Sequence, residues 1–221
     1  MPLHALELTR GNVAAPATAK KTYDRAYFDR WYRDPRVRVA TAAAVARKVH
    51  LVVSIAEALL LRRVRSVLDV GCGEGAWRAP LKKLRPGIRY IGVDSSEYVI
   101  ARFGKRRGIR MGTFGALGRI ERSLRGPFDV IVCCDVLQYV PALDLTTGLR
   151  SVAKLLGGVA YLEAYTSGDA VEGDKRAWHH RSAAEYRRAF GGAGLASVGM
   201  HCWVGDALRE STAELERGQQ S

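Results

Sequence analysis

Three glycines spaced by two, Gly71, Gly73 and Gly75, follow an apolar run in the segment "VLDVGCGEGAW". Glycine permits backbone conformations and close approaches that a Cβ atom forbids. A glycine-rich turn between a buried strand and a helix is typical of a ligand site at the carboxyl end of a sheet. The pattern Gly71-x-Gly73-x-x-Ala76 also satisfies the loose dinucleotide fingerprint, so a dinucleotide is one candidate ligand.

Two carboxylates beside this turn argue against a pyrophosphate. Asp69 lies two residues before the first glycine, and Glu74 lies within the turn. Negative side chains at such short range repel a phosphate group. They favour a ligand that carries positive charge.

The elements that must position this turn alternate between short apolar runs and amphipathic stretches. Strands are predicted at 66–70, 88–94, 109–114, 127–135, 158–166 and 195–204. Helices are predicted at 75–85, 96–108, 142–157 and 181–194. This alternation indicates an α/β fold, with a doubly wound, mainly parallel sheet and helices on both faces.

An added N-terminal helical segment is predicted before the alternation begins. The stretch "TYDRAYFDRWYRD" places Tyr23, Tyr27 and Trp31 at helical spacing, and Pro35 ends it. A long helix with a broad apolar face is predicted over 36–61. The aromatic side chains either pack on the core or form a lid over the ligand site, and the sequence leaves both open.

Composition restricts the classes of function. The 221 residues carry a net charge of +13, concentrated in the first two thirds of the chain. That charge leaves a nucleic acid open as a partner, although basic and aromatic residues do not interleave in a long tract. The chain shows no apolar run of transmembrane length, no signal-peptide pattern and no CxxC spacing among its four cysteines. We therefore expect a cytoplasmic protein with no membrane association and no metal site.

The expected organisation is one globular domain with attached segments. We expect a flexible leader over 1–21 and an N-terminal helical segment over 22–63. A ligand-binding core follows over 64–204, and a C-terminal tail over 205–221.

The segment "VLDVGCGEG" resembles motif I of the class I S-adenosylmethionine-dependent methyltransferases. The segments "IGVDSS", "FDVIVCCDVLQYV" and "GGVAYLEAY" are similar to the family's second, fourth and fifth strands. The resemblance spans about Val64 to Val204 and implies the Rossmann-like fold of that family. The family's sheet normally ends in an antiparallel pairing, whereas one clear strand follows the last core helix here. Either the sheet is one strand short, or a short strand lies between Tyr161 and Trp178.

The resemblance implies S-adenosylmethionine as cofactor and S-adenosylhomocysteine as product. Asp94 would accept the ribose hydroxyls, unless it serves as a helix N-cap, and Asp69 would face the ammonium. Thr113 and Phe114 are placed to contact adenine, although Phe114 fits a core position equally well. The predicted cofactor-binding residues are Asp69, Gly71, Cys72, Gly73, Asp94, Ser95, Thr113, Phe114, Asp135 and Val136.

Catalytic residues are harder to predict, because the sulfonium methyl is already activated and the enzyme mainly aligns the acceptor. A base is needed only where the nucleophile must lose a proton. The candidates are Tyr139, His179 and His180, and Arg181 is a candidate to hold an anionic acceptor. Further polar residues at the predicted strand ends are Gln138, Glu163 and Tyr165.

The expected reaction is in-line methyl transfer to a small-molecule acceptor. Superfamily enzymes that methylate exocyclic amines of bases usually carry a (D/N)PP(Y/F/W) motif after the fourth strand, where this chain has "CDVLQY". The alternatives are an RNA methyltransferase that uses the basic N-terminal part, a non-catalytic cofactor-binding protein and, third, an NAD-dependent oxidoreductase.

Overall fold

The computed structural model describes residues 21–38, 40–170 and 174–212. Its strands are β1 (Ser66–Val70), β2 (Arg89–Asp94), β3 (Ile109–Met111), β4 (Phe128–Cys134), β5 (Leu156–Glu163), β6 (Ala196–Gly199) and β7 (Cys202–Val204). They form one seven-stranded sheet in the order β3-β2-β1-β4-β5-β7-β6. Strand β7 runs antiparallel to both neighbours, and the remaining neighbours pair in parallel.

Helices pack on both faces of this sheet. They are α1 (Arg25–Phe28), α2 (Ala42–Leu60), α3 (Arg78–Leu84), α4 (Glu97–Arg107), α5 (Leu117–Leu124), α6 (Ala142–Leu155), α7 (Ala183–Gly192) and α8 (Asp206–Arg209). Apolar side chains of α5, α6 and α7 share one buried cluster with Leu68 and Val70 of β1. Those of α2 and α3 share a second cluster with Val67 of β1. The alternation of side chains along β1 therefore supplies both layers of the core.

The sheet order confirms the predicted fold and positions a binding crevice. The chain moves outward from β1 to β2 and β3, then returns to place β4 on the other side of β1. The carboxyl ends of β1 and β4 are the point where the strand order reverses, and ligands of open α/β sheets bind there.

The N-terminal part differs in detail from the prediction. The segment 22–34 forms the single turn α1 and then a π-helix over Asp29–Arg33 instead of one continuous helix. Helix α2 begins at Ala42 and not at residue 36, because the Thr41 hydroxyl accepts the Ala44 N–H at 3.1 Å and caps it. Val39 lies outside the described residues.

The predicted single strand at 195–204 is wrong, because it folds back on itself as the hairpin β6–β7. Met200 and His201 form the turn with φ values of 49° and 62°. Those conformations suit a tight hairpin, but the usual Asn-Gly or Asp-Gly signal is absent. The hairpin's second arm is the seventh strand, so the sheet is not one strand short. The missing strand lies within 195–204 and not between Tyr161 and Trp178.

Helix α5 was not predicted. Its eight residues, "LGRIERSL", include Gly118 and lack a side-chain cap, so the sequence signal for a helix is weak. Leu117 and Leu124 are fully buried in the core, and this tertiary burial stabilises the helix.

The two ends of the chain are described only in part. Residues 1–20 of the expected leader and residues 213–221 of the expected tail lie outside the described residues. The described part of the tail contains α8 and Thr212, which is 3% exposed. No helix in the described part of the chain combines the length and the apolar character needed to cross a membrane.

Candidate functional site

A pocket opens at the reversal point between β1 and β4. It holds about 510 Å³ of empty space, counted with the open solvent at its mouth. Its walls come from the turn after β1, the end of β2, the turn after β4 and the N-terminal segment. The lining residues are Tyr23, Tyr27, Phe28, Tyr32, Gly71, Gly73, Asp94, Ser95, Cys134, Asp135, Val136 and Tyr139.

The glycine turn after β1 forms the floor in backbone conformations that suit glycine. Gly71 and Gly73 have φ values of +69° and +52°. The Gly71 N–H donates to the Val93 carbonyl at 2.7 Å, which joins the turn to β2. A Cβ atom on Gly71 would collide with Val136, and one on Gly73 would lie 3.2 Å from Phe28 Cε1. Both glycines are needed for the turn to fit between its neighbours.

Asp94 ends β2 with its carboxylate beside the turn. Its Oδ2 accepts the Gly73 N–H at 2.7 Å, and its Oδ1 accepts the Ser96 N–H at 2.9 Å. Burial raises the pKa of Asp94, although these backbone hydrogen bonds oppose the rise. The cap of α4 is Ser96, whose hydroxyl accepts the Val99 N–H. Asp94 is therefore not the helix cap, and each of its oxygens keeps a lone pair for a further donor.

Asp69 and Cys72 lie behind the turn and do not line the pocket. Asp69 is 2% exposed, and the Tyr90 hydroxyl donates to its Oδ2 at 2.7 Å. The Cys72 side chain packs with Phe103 and Ile109. The roles predicted for Asp69 and Cys72 in cofactor binding stay predictions.

Burial raises the pKa of Asp69 to about 7, against the lowering effect of the Tyr90 hydroxyl. An unfolded aspartate titrates near pH 4, so between about pH 4 and 7 the folded protein binds more protons than the unfolded chain. Stability must therefore fall as pH rises through this window. The amide side chain of Asp69→Asn cannot ionise and so escapes this loss. We therefore expect the stability of Asp69→Asn relative to the wild type to be greater at pH 8 than at pH 5, as thermal unfolding at the two pH values would measure.

The control for this prediction is Asp129→Asn. Burial would raise the pKa of Asp129, but hydrogen bonds from Arg62 and Arg65 outweigh it and lower the pKa. Asp129 is thus charged at both pH values, and its substitution should destabilise the protein about equally at pH 5 and pH 8. The same stability difference at both pH values for Asp69→Asn would contradict the prediction.

The turn after β4 forms the wall that faces the glycine turn. Asp135 has a φ of +59°, and the Gln138 amide nitrogen donates to its carboxylate. Burial raises the pKa of Asp135 to about 6, while the Gln138 hydrogen bond lowers it. Arg181 donates to the Leu137 and Val140 carbonyls and so braces the turn. The arrangement presents to the pocket a carboxyl group whose pKa lies above its usual range.

A second cavity continues from the first past Gly71 and Val136. Thr113 and Phe114 line it together with Gly112, Gly115, Pro141 and Asp144, and it holds about 650 Å³ counted with its open mouth. The Phe114 ring is 4% exposed and packs against α6, so it belongs to the core while the residue also lines the cavity. A ligand that extends from Asp94 would enter this space.

Aromatic residues of the N-terminal segment form a roof, which we define as Tyr23, Tyr27, Phe28 and Tyr32. Phe28 stacks on Tyr98 of α4, with centroids 5.6 Å apart. The Ser96 hydroxyl donates to the Tyr23 carbonyl, and an ion pair of 2.6 Å joins Arg33 to Glu74 of the glycine turn. The roof is therefore attached to the same elements that form the floor.

The predicted catalytic candidates separate in space. Tyr139 lines both cavities, whereas His179 and His180 are exposed. Glu163 is 7% exposed at the end of β5 and accepts from Lys48 Nζ at 2.6 Å and from the Tyr161 hydroxyl. Tyr165 stacks on Trp178 with an interplanar angle of 10°. Within the described residues, no group of three or more His, Cys, Asp or Glu side chains is placed to hold a metal ion.

Sequence reasoning missed two lysines near the pocket. Lys48 reaches from α2 to the end of β5, and Lys21 pairs with Asp174 at 2.9 Å. No local motif marks either residue, because each partner is more than 100 positions away along the chain. The aromatic spacing of the N-terminal segment was the only signal for this region.

These residues fit S-adenosylmethionine. The turn at Gly71 and Gly73 admits a chain against its backbone, Asp94 offers carboxylate oxygens for a diol, and the second cavity extends beyond it. Carboxylates beside the turn attract a ligand with positive charge and repel a phosphate.

Comparisons with known proteins agree with this geometry. Residues 41–198 match the family described as "Methyltransferase domain". The fold is similar to DesVI of Streptomyces venezuelae, with 20% identity, a TM-score of 0.58 and coverage of 74% of this chain and 91% of that one. The plantazolicin methyltransferase BamL, in complex with S-adenosylhomocysteine (SAH), matches with 16% identity, a TM-score of 0.56 and coverage of 70% and 65%.

A third structure is the magnesium protoporphyrin IX methyltransferase ChlM of Synechocystis PCC 6803 with bound SAH. It shares 21% identity with a TM-score of 0.52, over 78% of this chain and 86% of that one. A comparison with curated proteins finds no match. Because the family match covers well over half of the 221 residues, the chain belongs to the methyltransferase-domain family and is an S-adenosylmethionine-dependent methyltransferase.

Proposed function

We propose that the protein methylates a small-molecule acceptor by in-line transfer. The main support for this proposal is that the aromatic roof encloses the crevice. Tyr23, Tyr27, Phe28 and Tyr32 cover the crevice and leave a concave pocket above the glycine turn, which is the shape typical of small-molecule sites.

In this proposal the described residues bind and orient, and the cofactor supplies a methyl group already activated on sulfur. Asp94 accepts the ribose hydroxyls, and the backbone of Gly71 to Gly73 lies against the methionine part. Ser95, Thr113, Phe114 and Val136 line the path to the adenine, while the negative charge of Asp69 acts on the ammonium from behind the turn. Asp135 and Tyr139 lie where the acceptor enters, and the aromatic roof excludes water from the reacting atoms.

The roof acts as a lid in this proposal. It covers Gly73 directly, and it is attached to the floor by the ion pair of the half-exposed Arg33 with Glu74 and by the hydrogen bond from Ser96 to the Tyr23 carbonyl. A cofactor must enter past these contacts. We therefore retain the division into a lid-bearing segment at 22–63, a core at 64–204 and a tail at 205–221.

Two of the structural relatives support the small-molecule class. ChlM is named for magnesium protoporphyrin IX and BamL for plantazolicin, and neither acceptor is a nucleic acid. The turn after β4 also supports this class, because Gln138 is 1% exposed and braces Asp135 instead of forming a motif that holds a flipped base.

Salt dependence separates this function from RNA methylation. Phosphate contacts act by counterion release, so RNA binding weakens by orders of magnitude between about 50 and 200 mM salt. We expect methyl transfer to a small acceptor to change by less than about twofold over that range, as measured with tritium-labelled cofactor. Site-specific, stoichiometric labelling of RNA that survives 200 mM salt would instead establish an RNA methyltransferase.

The direct test combines titration and transfer. The protein should bind SAH in calorimetry and should not bind NADH, which excludes the oxidoreductase alternative. Tritium from labelled cofactor should then pass into the low-molecular-mass fraction of a metabolite extract. Binding of SAH without transfer to any fraction would favour a non-catalytic cofactor-binding protein.

A further inference from the structure

The ammonium of Lys21 lies inside the protein, among aromatic rings. Its side chain is 6% exposed, and its Nζ pairs with an Asp174 oxygen at 2.9 Å. The same nitrogen lies 3.6 Å from the centroid of the Tyr139 ring, 5.3 Å from that of Tyr23 and 5.4 Å from that of Tyr27. A cation within about 6 Å of a ring centroid is attracted by the ring's negative face. We call these three tyrosines and Asp174 the cation cage.

The three tyrosines of the cation cage belong to the pocket already described, while Asp174 lines a neighbouring cavity. Tyr23, Tyr27 and Tyr139 all line the pocket beside Asp135. The Tyr139 hydroxyl donates to the Asp174 carbonyl at 2.6 Å, and the Tyr23 and Tyr27 rings meet edge to face with centroids 5.0 Å apart. The cage thus has contacts of its own that do not depend on Lys21.

Polar groups beside the cation cage have acceptor atoms that a ligand with a cationic hydrogen-bond donor could use. The Gln138 Oε1 atom is buried and has no hydrogen-bond partner among the described residues. The Gln138 amide nitrogen donates to Asp135, so a flip of the amide would place two acceptors against each other, and the orphan atom must be the acceptor. The other lysine nearby, Lys48, is paired with Glu163. Asp135 therefore offers acceptor capacity in the pocket beside the cage, and the buried Gln138 next to it holds an unused acceptor.

We propose that the cation cage is the acceptor subsite, that it takes the cationic amine of the acceptor, and that Lys21 occupies it as an internal substitute when no acceptor is bound. This inference rests on the proposed small-molecule function and narrows its acceptor to molecules that carry a cationic amine. While protonated, that amine has no lone pair, so it anchors the acceptor in the cage and another group of the acceptor receives the methyl. The acceptor amine displaces the Lys21 ammonium and takes over its contacts with the rings and Asp174. Displacement of Lys21 also releases one attachment of the roof.

Accessibility of Lys21 in the wild-type protein provides the first test. Acetylation by an N-hydroxysuccinimide ester, followed by peptide mass spectrometry, reports how often the Lys21 amine leaves the cage. We expect tetramethylammonium chloride at millimolar concentration to raise the rate at Lys21 at least threefold. The neutral isostere tert-butanol should have no effect, and the exposed Lys154 should be acetylated at the same rate throughout. An unchanged rate at Lys21 would overturn the proposal.

A pair of variants provides the second test. Lys21→Met keeps the apolar stem and removes the charge, so calorimetry should show at least tenfold tighter tetramethylammonium binding than in the wild type. The matched surface control Lys154→Met should leave that affinity unchanged. Adding Tyr139→Leu to Lys21→Met should abolish the gain. Equal binding of tert-butanol by Lys21→Met, or no gain at all, would overturn the proposal.

SAH titration of the same preparations separates the two levels of inference. If SAH binds and tetramethylammonium does not, the amine subsite is wrong while the proposed function stands. If SAH fails to bind to the wild type, the proposed function itself fails.

Discussion

Gly73→Val is expected to abolish measurable SAH binding while the protein remains folded. Gly73 has a φ of +52°, which a β-branched side chain rarely adopts. Its Cβ would also lie 3.2 Å from Phe28 Cε1 and 3.2 Å from the Tyr32 hydroxyl, so valine must push the roof away from the turn. Calorimetric titration with SAH measures the loss, and circular dichroism verifies the fold.

The matched control is Gly87→Val. A Cβ on Gly87 meets nothing within 4 Å, and this loop glycine lies before β2, at the opposite end of the strand from Asp94. We expect unchanged SAH affinity in that variant. Wild-type affinity in Gly73→Val would show that the glycine turn is not the cofactor site, and the assignment of the pocket would lose its main support.

Asp94→Ala is expected to weaken SAH binding by at least about 100-fold. Hydrogen bonds that involve a charged group contribute about 1.5–3 kcal/mol each, and we propose two from the ribose hydroxyls. The loss includes an indirect part, because the carboxylate also accepts the Gly73 and Ser96 N–H groups and so holds the turn against α4. The isosteric Asp94→Asn keeps one oxygen and should lose less, about tenfold or more.

Asp129→Asn serves as the control, because it removes a buried carboxylate that lies outside the pocket. Asp129 is 7% exposed and also accepts from backbone and side-chain donors, but it lies near the start of β4, at the opposite end of that strand from Asp135 and the pocket. We expect lower thermal stability with unchanged SAH affinity. An unchanged dissociation constant in Asp94→Ala would remove Asp94 from the site.

The strand pattern and the glycine turn could be predicted because their signals are local. Buried parallel strands are continuous apolar runs, as in "SVLDV" and "FDVIVCC", and they alternate with amphipathic helices. The turn after β1 needs residues without a Cβ, and Asp94 ends the next predicted strand. The sheet order then follows from general rules of α/β topology, and it brings Gly71, Asp94 and Asp135 to one edge.

Elements that depend on distant contacts could not be predicted in the same way. The hairpin at Met200 and His201 has unfavourable residues for a tight turn, and pairing of β7 with β5 compensates for them. Helix α5 is weak by propensity and is stabilised by burial of Leu117 and Leu124.

By itself, the sequence determined the α/β class, the ligand-binding turn and the carboxylates that favour a cofactor without phosphate, because each depends on residues close together in the chain. Only the tertiary structure decided that the N-terminal aromatics form a roof and that Lys21 lies among Tyr23, Tyr27 and Tyr139. The contacts of Lys21 with Tyr139 and Asp174 join residues more than 100 positions apart. Chain folding creates them, and no local pattern of residue types specifies which distant partners will meet.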